Sequence, residues 1–184
     1  MRMLALAIIS LTSSAALAQS QPVVRAEVKP ESVIVGESAQ LTVTVLVPTW
    51  FTRPPVYPTF ELANAITRIP ADSSYPLRER FGNESWSGIV RTYDIYPLMG
   101  ASYRMAGQTM NVTFANPGSD PVSVDIEVPE VVLRGVVPKG AESLDPYLAG
   151  SNLELTLDVA GELEELESGD AIVLTYSARL DGLP

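Results

Sequence analysis

The 184-residue chain contains no cysteine and no histidine. These absences exclude disulfides, Cys/His zinc sites, cysteine nucleophiles and Ser-His-Asp triads, and with them much hydrolytic and redox chemistry. Positive charge is also scarce, with 12 basic residues against 22 acids and a formal charge of -10. Affinity for a phosphate backbone comes mainly from clustered Lys and Arg, so a nucleic-acid partner is not expected. What remains is carboxylate chemistry, oxygen-ligand metals, or work done by contact alone. The 46% of hydrophobic residues and 15 prolines fit a globular chain rather than a disordered or fibrous one.

The amino terminus reads as a signal peptide over 1–18. Arg2 supplies the positive start, Met3 to Ile9 is apolar, and Ala16-Leu17-Ala18 before Gln19 has the small-x-small form of a cleavage site, with the cut between Ala18 and Gln19. An uncleaved signal anchor is the alternative. The apolar run is short for a transmembrane span and is diluted by Thr12, Ser13 and Ser14. Either way the remainder is expected to be exported, with a core in place of disulfide staples.

Beyond the leader the hydrophobic signal has period two. Leu41, Val43, Val45 and Val47 alternate with Thr42, Thr44 and Leu46; Met110, Val112 and Phe114 alternate with polar residues, as do Val122, Val124, Ile126 and Val128. That pattern predicts half-buried strands, one face on a core and one in water. Asn116-Pro117-Gly118-Ser119-Asp120-Pro121, between the last two runs, predicts a hairpin turn. With no long helical period, the fold class is all-β: an antiparallel, immunoglobulin-like β-sandwich.

A change in composition marks a second unit. Residues 19–141 hold 12 acids and 10 bases, whereas residues 142–184 hold 10 acids and one base, Arg179. The sandwich is placed at 19–137, a linker at 138–150, and the start of a second, similar domain at 151–184. Val35-Gly36-Glu37-Ser38 before Leu41, and Ser168-Gly169-Asp170 before Leu174, repeat one Gly-acid turn leading into a strand. Two strands cannot bury a sandwich core alone, so either the chain is a fragment or short product, or these strands dock on the first domain or on a partner.

No catalytic, cofactor or metal residue is assigned. Glu162, Glu164, Glu165, Glu167 and Asp170 crowd one segment but lack the ordered ligand series of an EF-hand, and read as a solvated turn. Aromatics concentrate in the middle of the chain with arginines among them. Trp86, Tyr93 and Tyr103 are expected in the core. Trp50 and Phe51, beside Pro48, Pro54 and Pro55, lie in an extended segment where core packing and partner contact are both open. With Arg53 and Tyr57 they form the candidate partner surface.

Trp86-Ser87-Gly88-Ile89-Val90-Arg91-Thr92-Tyr93-Asp94-Ile95-Tyr96-Pro97-Leu98, followed by Gly100-Ala101-Ser102-Tyr103, resembles the BatD oxygen-tolerance family. There an aromatic-rich strand enters a corner of proline, glycine and a re-entering aromatic, spaced in this chain as Pro-x-x-Gly-x-x-aromatic. Here Pro97 would end a strand, Gly100 make the turn, and Tyr103 re-enter the core. Val24 to Val28 and Val33 to Val45 look like the family's first strands, and Pro138 to Gly150 like its linker. Met105-Ala106-Gly107 departs from the family's usual Ile-Pro, and no stretch after the leader has the family's membrane span. The resemblance implies a non-enzymatic protein of the periplasm or the periplasmic face of the inner membrane. Its partners would be von Willebrand A membrane proteins, in an envelope-stress system with a MoxR-type ATPase. No cofactor or small-molecule substrate is implied. The alternative is a carbohydrate-binding or adhesin module.

Overall fold

The computed structural model describes residues 21–144, 147, 150–161, 167–169 and 171–181. The proposed signal peptide, with Ala18 and Gln19, lies outside them, as does most of the acidic segment. Every regular element among the described residues is a strand: β1 (Val23–Lys29), β2 (Ser32–Ile34), β3 (Ala39–Val47), β4 (Ala65–Arg68), β5 (Ser74–Phe81), β6 (Glu84–Pro97), β7 (Ser102–Met105), β8 (Thr109–Phe114), β9 (Val122–Glu127), β10 (Val131–Val136), β11 (Ser151–Ala160) and β12 (Val173–Asp181). None of the described residues forms a helix long and apolar enough to cross a membrane.

The larger sheet runs β1-β3-β6, and long β6 carries two partners along its far side, β4 on its last residues and β5 on its first. Facing it are the β2-β10-β7 sheet and the β8-β9 hairpin. Leu41, Val43 and Val45 of β3, with Tyr93 and Ile95 of β6, pack in one cluster with Met110, Val112, Phe114, Tyr103, Met105 and Leu133 from the opposite layer. Alternation therefore delivers what period two implies, one side of β3, β6, β7, β8 and β10 closing on a common core. The pairing is antiparallel except between β2 and β10, which run parallel.

The hairpin turn follows from its residues. Ser119 N–H donates to Asn116 O at 2.9 Å, with Pro117 and Gly118 between them. Proline supplies the fixed φ of the second turn position and Gly118 the positive φ, +86°, of the third.

The larger sheet departs from the expected one-sided burial. Val45, Leu46 and Val47 are all fully buried, so at this end of β3 both faces are covered. Trp86 is buried too, but on the outer face of the sheet and not in the sandwich core. Its ring lies 4.6 Å from that of Phe81. Arg25 stands over Phe81 and donates two hydrogen bonds of 2.9 Å to Glu79. This strap joins β1 to β5 across β3 and β6. Gly88 lies in the same outer layer, where a Cβ would come within 3.0 Å of Leu46 Cδ2 and 3.3 Å of Leu77 Cβ. A second, small apolar layer forms outside the sheet because the β5-β6 hairpin supplies aromatic cover there.

Among the described residues, β11 and β12 pair only with each other. Leu155 lies opposite Ala178, Leu157 opposite Tyr176 and Val159 opposite Leu174, with a register shift near Ser151.

Candidate functional site

The segment from Trp50 to Val56 is a broken edge strand along β8. Ala115 N–H donates to Trp50 O (3.0 Å), Thr52 N–H to Thr113 O (3.2 Å) and Val56 N–H to Asn111 O (2.9 Å). Pro54 and Pro55 interrupt the ladder because they have no N–H to give. The interruption lifts Arg53 into solvent.

The four residues of the candidate surface divide into two pairs. Trp50 is 57% exposed and Arg53 is exposed. Phe51 and Tyr57 instead pack against the core cluster. Tyr57 OH donates to Ile89 O at 3.1 Å, and Tyr93 OH donates to Pro58 O at 2.9 Å. Both bonds tie the segment that follows Trp50 down onto β6. Arg91 sits between the two phenols, its guanidinium carbon 5.3 Å from the Tyr57 ring and 5.8 Å from that of Tyr93.

Burial pushes both phenols above the ordinary tyrosine range, while the Arg91 charge acts in the opposite direction. A raised native value means that the unfolded chain loses these protons first as pH rises. The contribution to stability is complete below the unfolded value of about 10 and is lost progressively above it. The urea midpoint is therefore expected to fall between pH 9 and 11, with a shallower fall in Tyr57→Phe and Tyr93→Phe. Absorbance at 295 nm would show two phenols that ionise only as the protein unfolds. A single tyrosine titration near pH 10 with no loss of stability would contradict it.

Trp50 and Phe51 form one wall of a cleft of about 470 Å³, also lined by Pro76, Leu77, Arg78, Ser87, Gly88 and Ile89. The cleft lies where the β5-β6 hairpin extends past the end of the facing layer. Ser87 Oγ donates to Thr49 O at 2.5 Å and Thr49 Oγ1 to Ala115 O at 2.7 Å, which holds the base of the Trp50 segment between the two layers. Arg78 is the one charged residue in the lining among the described residues. Sequence reasoning counts Arg78 among the arginines interleaved with aromatics but places neither it nor Pro76 beside Trp50, because both are 26 or more positions away and join it only through the curl of the hairpin. The interleaving of arginines with aromatics was the available signal.

The corner residues do come together. Pro97 is buried at the end of β6, and Tyr103 re-enters the core from β7. Tyr103 OH accepts from Met99 N–H at 3.1 Å and donates to Asn64 O at 2.8 Å. Gly100 lies in the turn, where an added Cβ would approach Val137 Cγ2 to 3.2 Å. The tightest position at this corner is Gly135, to which the local motif gives no clue.

No group of three or more acidic metal-ligating side chains occurs among the described residues. What the Trp50 cleft offers is an aromatic face, a guanidinium and an open strand edge. The chain matches no family model, and comparison with curated proteins and with solved structures gives no significant similarity.

Proposed function

We propose that this chain is an exported, non-catalytic protein of the BatD type. It acts by protein–protein contact within an envelope-stress and aerotolerance system of von Willebrand A membrane proteins and a MoxR-type ATPase. The resemblance of the Trp86–Tyr103 segment supplies the family. The observation that carries the contact reading is the exposed indole of Trp50 beside Arg78, in a cleft with no carboxylate in its lining. Trp and Arg are the residues that most often dominate binding energy at protein interfaces. Trp50 is held in place by a backbone bond from Ala115, just past β8, and by the neighbouring Phe51, so little ordering is needed on binding.

The test is retention of von Willebrand A partners by the immobilised protein. Trp50→Ala combined with Arg53→Ala is expected to reduce it at least about ten-fold, since a hot-spot residue contributes 2 kcal/mol or more. Unchanged retention would remove the contact reading. The exposed indole also gives the carbohydrate-binding alternative its support, because aromatic faces stack on sugar rings. A glycan-array signal abolished by Trp50→Ala would replace the partner reading with that one.

A further inference from the structure

The cleft adjoins a free strand edge, and the hydrogen-bond parity of that edge can be read out. Thr92 N–H donates to Ser73 O at 2.8 Å. With Ser74 opposite Arg91, antiparallel alternation turns the main-chain groups of Tyr75, Leu77 and Glu79 toward β6 and those of Pro76, Arg78 and Arg80 outward. Among the described residues, β5 pairs with no strand on that outer side. Pro76 occupies an outward position, where its missing N–H removes no bond of the ladder. The main-chain groups of Arg78 and Arg80 face solvent there.

Side chains on β5 are sorted by charge. Glu79 projects to the outer face and is held by Arg25. Pro76, Arg78 and Arg80 project to the other face, together with Ser87 and Ile89 opposite them. Arg78 and Arg80 are exposed and have no carboxylate partner among the described residues. The result is a positive stripe ending at the Trp50 cleft, in a chain whose net charge is -10.

We propose, building on the contact reading above, that the free edge of β5 takes up an extended acidic segment of a partner protein as an added antiparallel strand. Residues opposite Arg80 and Arg78 would be acidic, and the residue opposite Pro76 would be apolar and lie against Trp50. The recognised pattern is acid-x-acid-x-apolar. Two charge-complementary cross-strand pairs and one aromatic contact then act together with main-chain bonds.

A synthetic probe tests this directly: the acetylated, amidated heptapeptide Thr-Glu-Thr-Glu-Thr-Leu-Thr, titrated into the full chain while the emission of exposed Trp50 is followed. Binding is expected with a shift of that emission to shorter wavelength. Replacing both Glu with Lys is expected to weaken binding at least about ten-fold, and so is Arg78→Glu in the protein, since a close charge pair there becomes a repulsion. Because the two Glu residues would exchange both main-chain bonds with Arg80 and Arg78, N-methylation of those two amides should weaken binding as much. N-methylation of the two central Thr amides should leave it unchanged. No binding, or equal binding by the peptide methylated at Glu, would overturn strand addition. The two proposals fail separately: partner retention that needs Trp50 but survives Arg78→Glu sinks the acidic strand alone, while retention indifferent to Trp50 sinks the contact reading.

Discussion

Gly135→Val is expected to unfold the sandwich or to cost it several kcal/mol in urea denaturation, the largest single-residue effect outside the hydrophobic core. A Cβ at this position would stand 2.6 Å from Met99 O, 2.9 Å from Pro97 Cβ and 3.3 Å from Tyr103 Cε2. None of these can retreat cheaply. Gly135 N–H donates to Ala101 O at 2.8 Å, Gly36 N–H donates to Pro97 O at 2.8 Å, and Tyr103 OH holds both Met99 N–H and Asn64 O. Relieving the clash therefore also breaks partly buried hydrogen bonds at the corner, each contributing about 1 kcal/mol. One added methyl in a packed site costs about 1–3 kcal/mol, so Gly135→Ala should already be measurable and valine worse. Gly107→Ala is the control: its φ is +64° but its Cβ would meet open space, so only backbone strain of about 1–2 kcal/mol applies. A Gly135→Ala variant within about 0.5 kcal/mol of the parent would show that the corner can relax, contrary to this expectation.

Gly135 also shows where sequence reading stops. Pro97 and Tyr103 could be picked out because a strand end and a re-entering aromatic are local signals, only a few positions apart. The steric requirement at this corner comes from Gly135 on β10, more than thirty positions further on, and a contact at that separation leaves no trace in local periodicity. The same distinction runs through the sheets. Period two identifies β3, β8 and β9 and the faces of β8 and β9 that turn inward. It assigned Leu46 to water because it could not see the β5-β6 hairpin covering the outer face. Trp86 was expected to be buried and is, yet Phe81 and the Arg25–Glu79 strap bury it outside the sandwich core. At the candidate site the composition of the Trp50 segment leaves core packing and partner contact both open. The division into outward Trp50 and Arg53 and inward Phe51 and Tyr57 depends on two tyrosine hydroxyls reaching main-chain oxygens, and on prolines breaking the edge ladder. Those are tertiary facts. Arg78 and the free edge of β5 required the ladder register itself.

Amide exchange should divide the chain by orders of magnitude, with β3 and β6 slow and β11 and β12 fast. β3 lies between β1 and β6, and its residues Leu41, Val43, Val45, Leu46 and Val47 are fully buried. Its amides open only with the whole domain, against a stability of about 5–15 kcal/mol, equivalent to protection of about three orders of magnitude or more. The β11-β12 hairpin has the same sequence alternation, but among the described residues no further strand pairs with it. Leu155 is 71% exposed, Leu157 51% and Tyr176 74%. Each buried apolar side chain of that size would contribute about 1.5–3 kcal/mol, and the hairpin gains almost none of it. An isolated two-stranded hairpin is marginal in water, so protection there should be within about ten-fold of an unfolded peptide. Leu155→Lys with Leu157→Lys should leave the melting temperature of the sandwich unchanged while lowering the binding of a hydrophobic dye to the chain. Slow exchange throughout β11 and β12 would sink the expectation and would mean that the Leu155–Tyr176 face is covered in solution. The two lysine substitutions would then raise the exchange rate, because a charge placed in a covered face opens it, whereas on a bare face they change nothing.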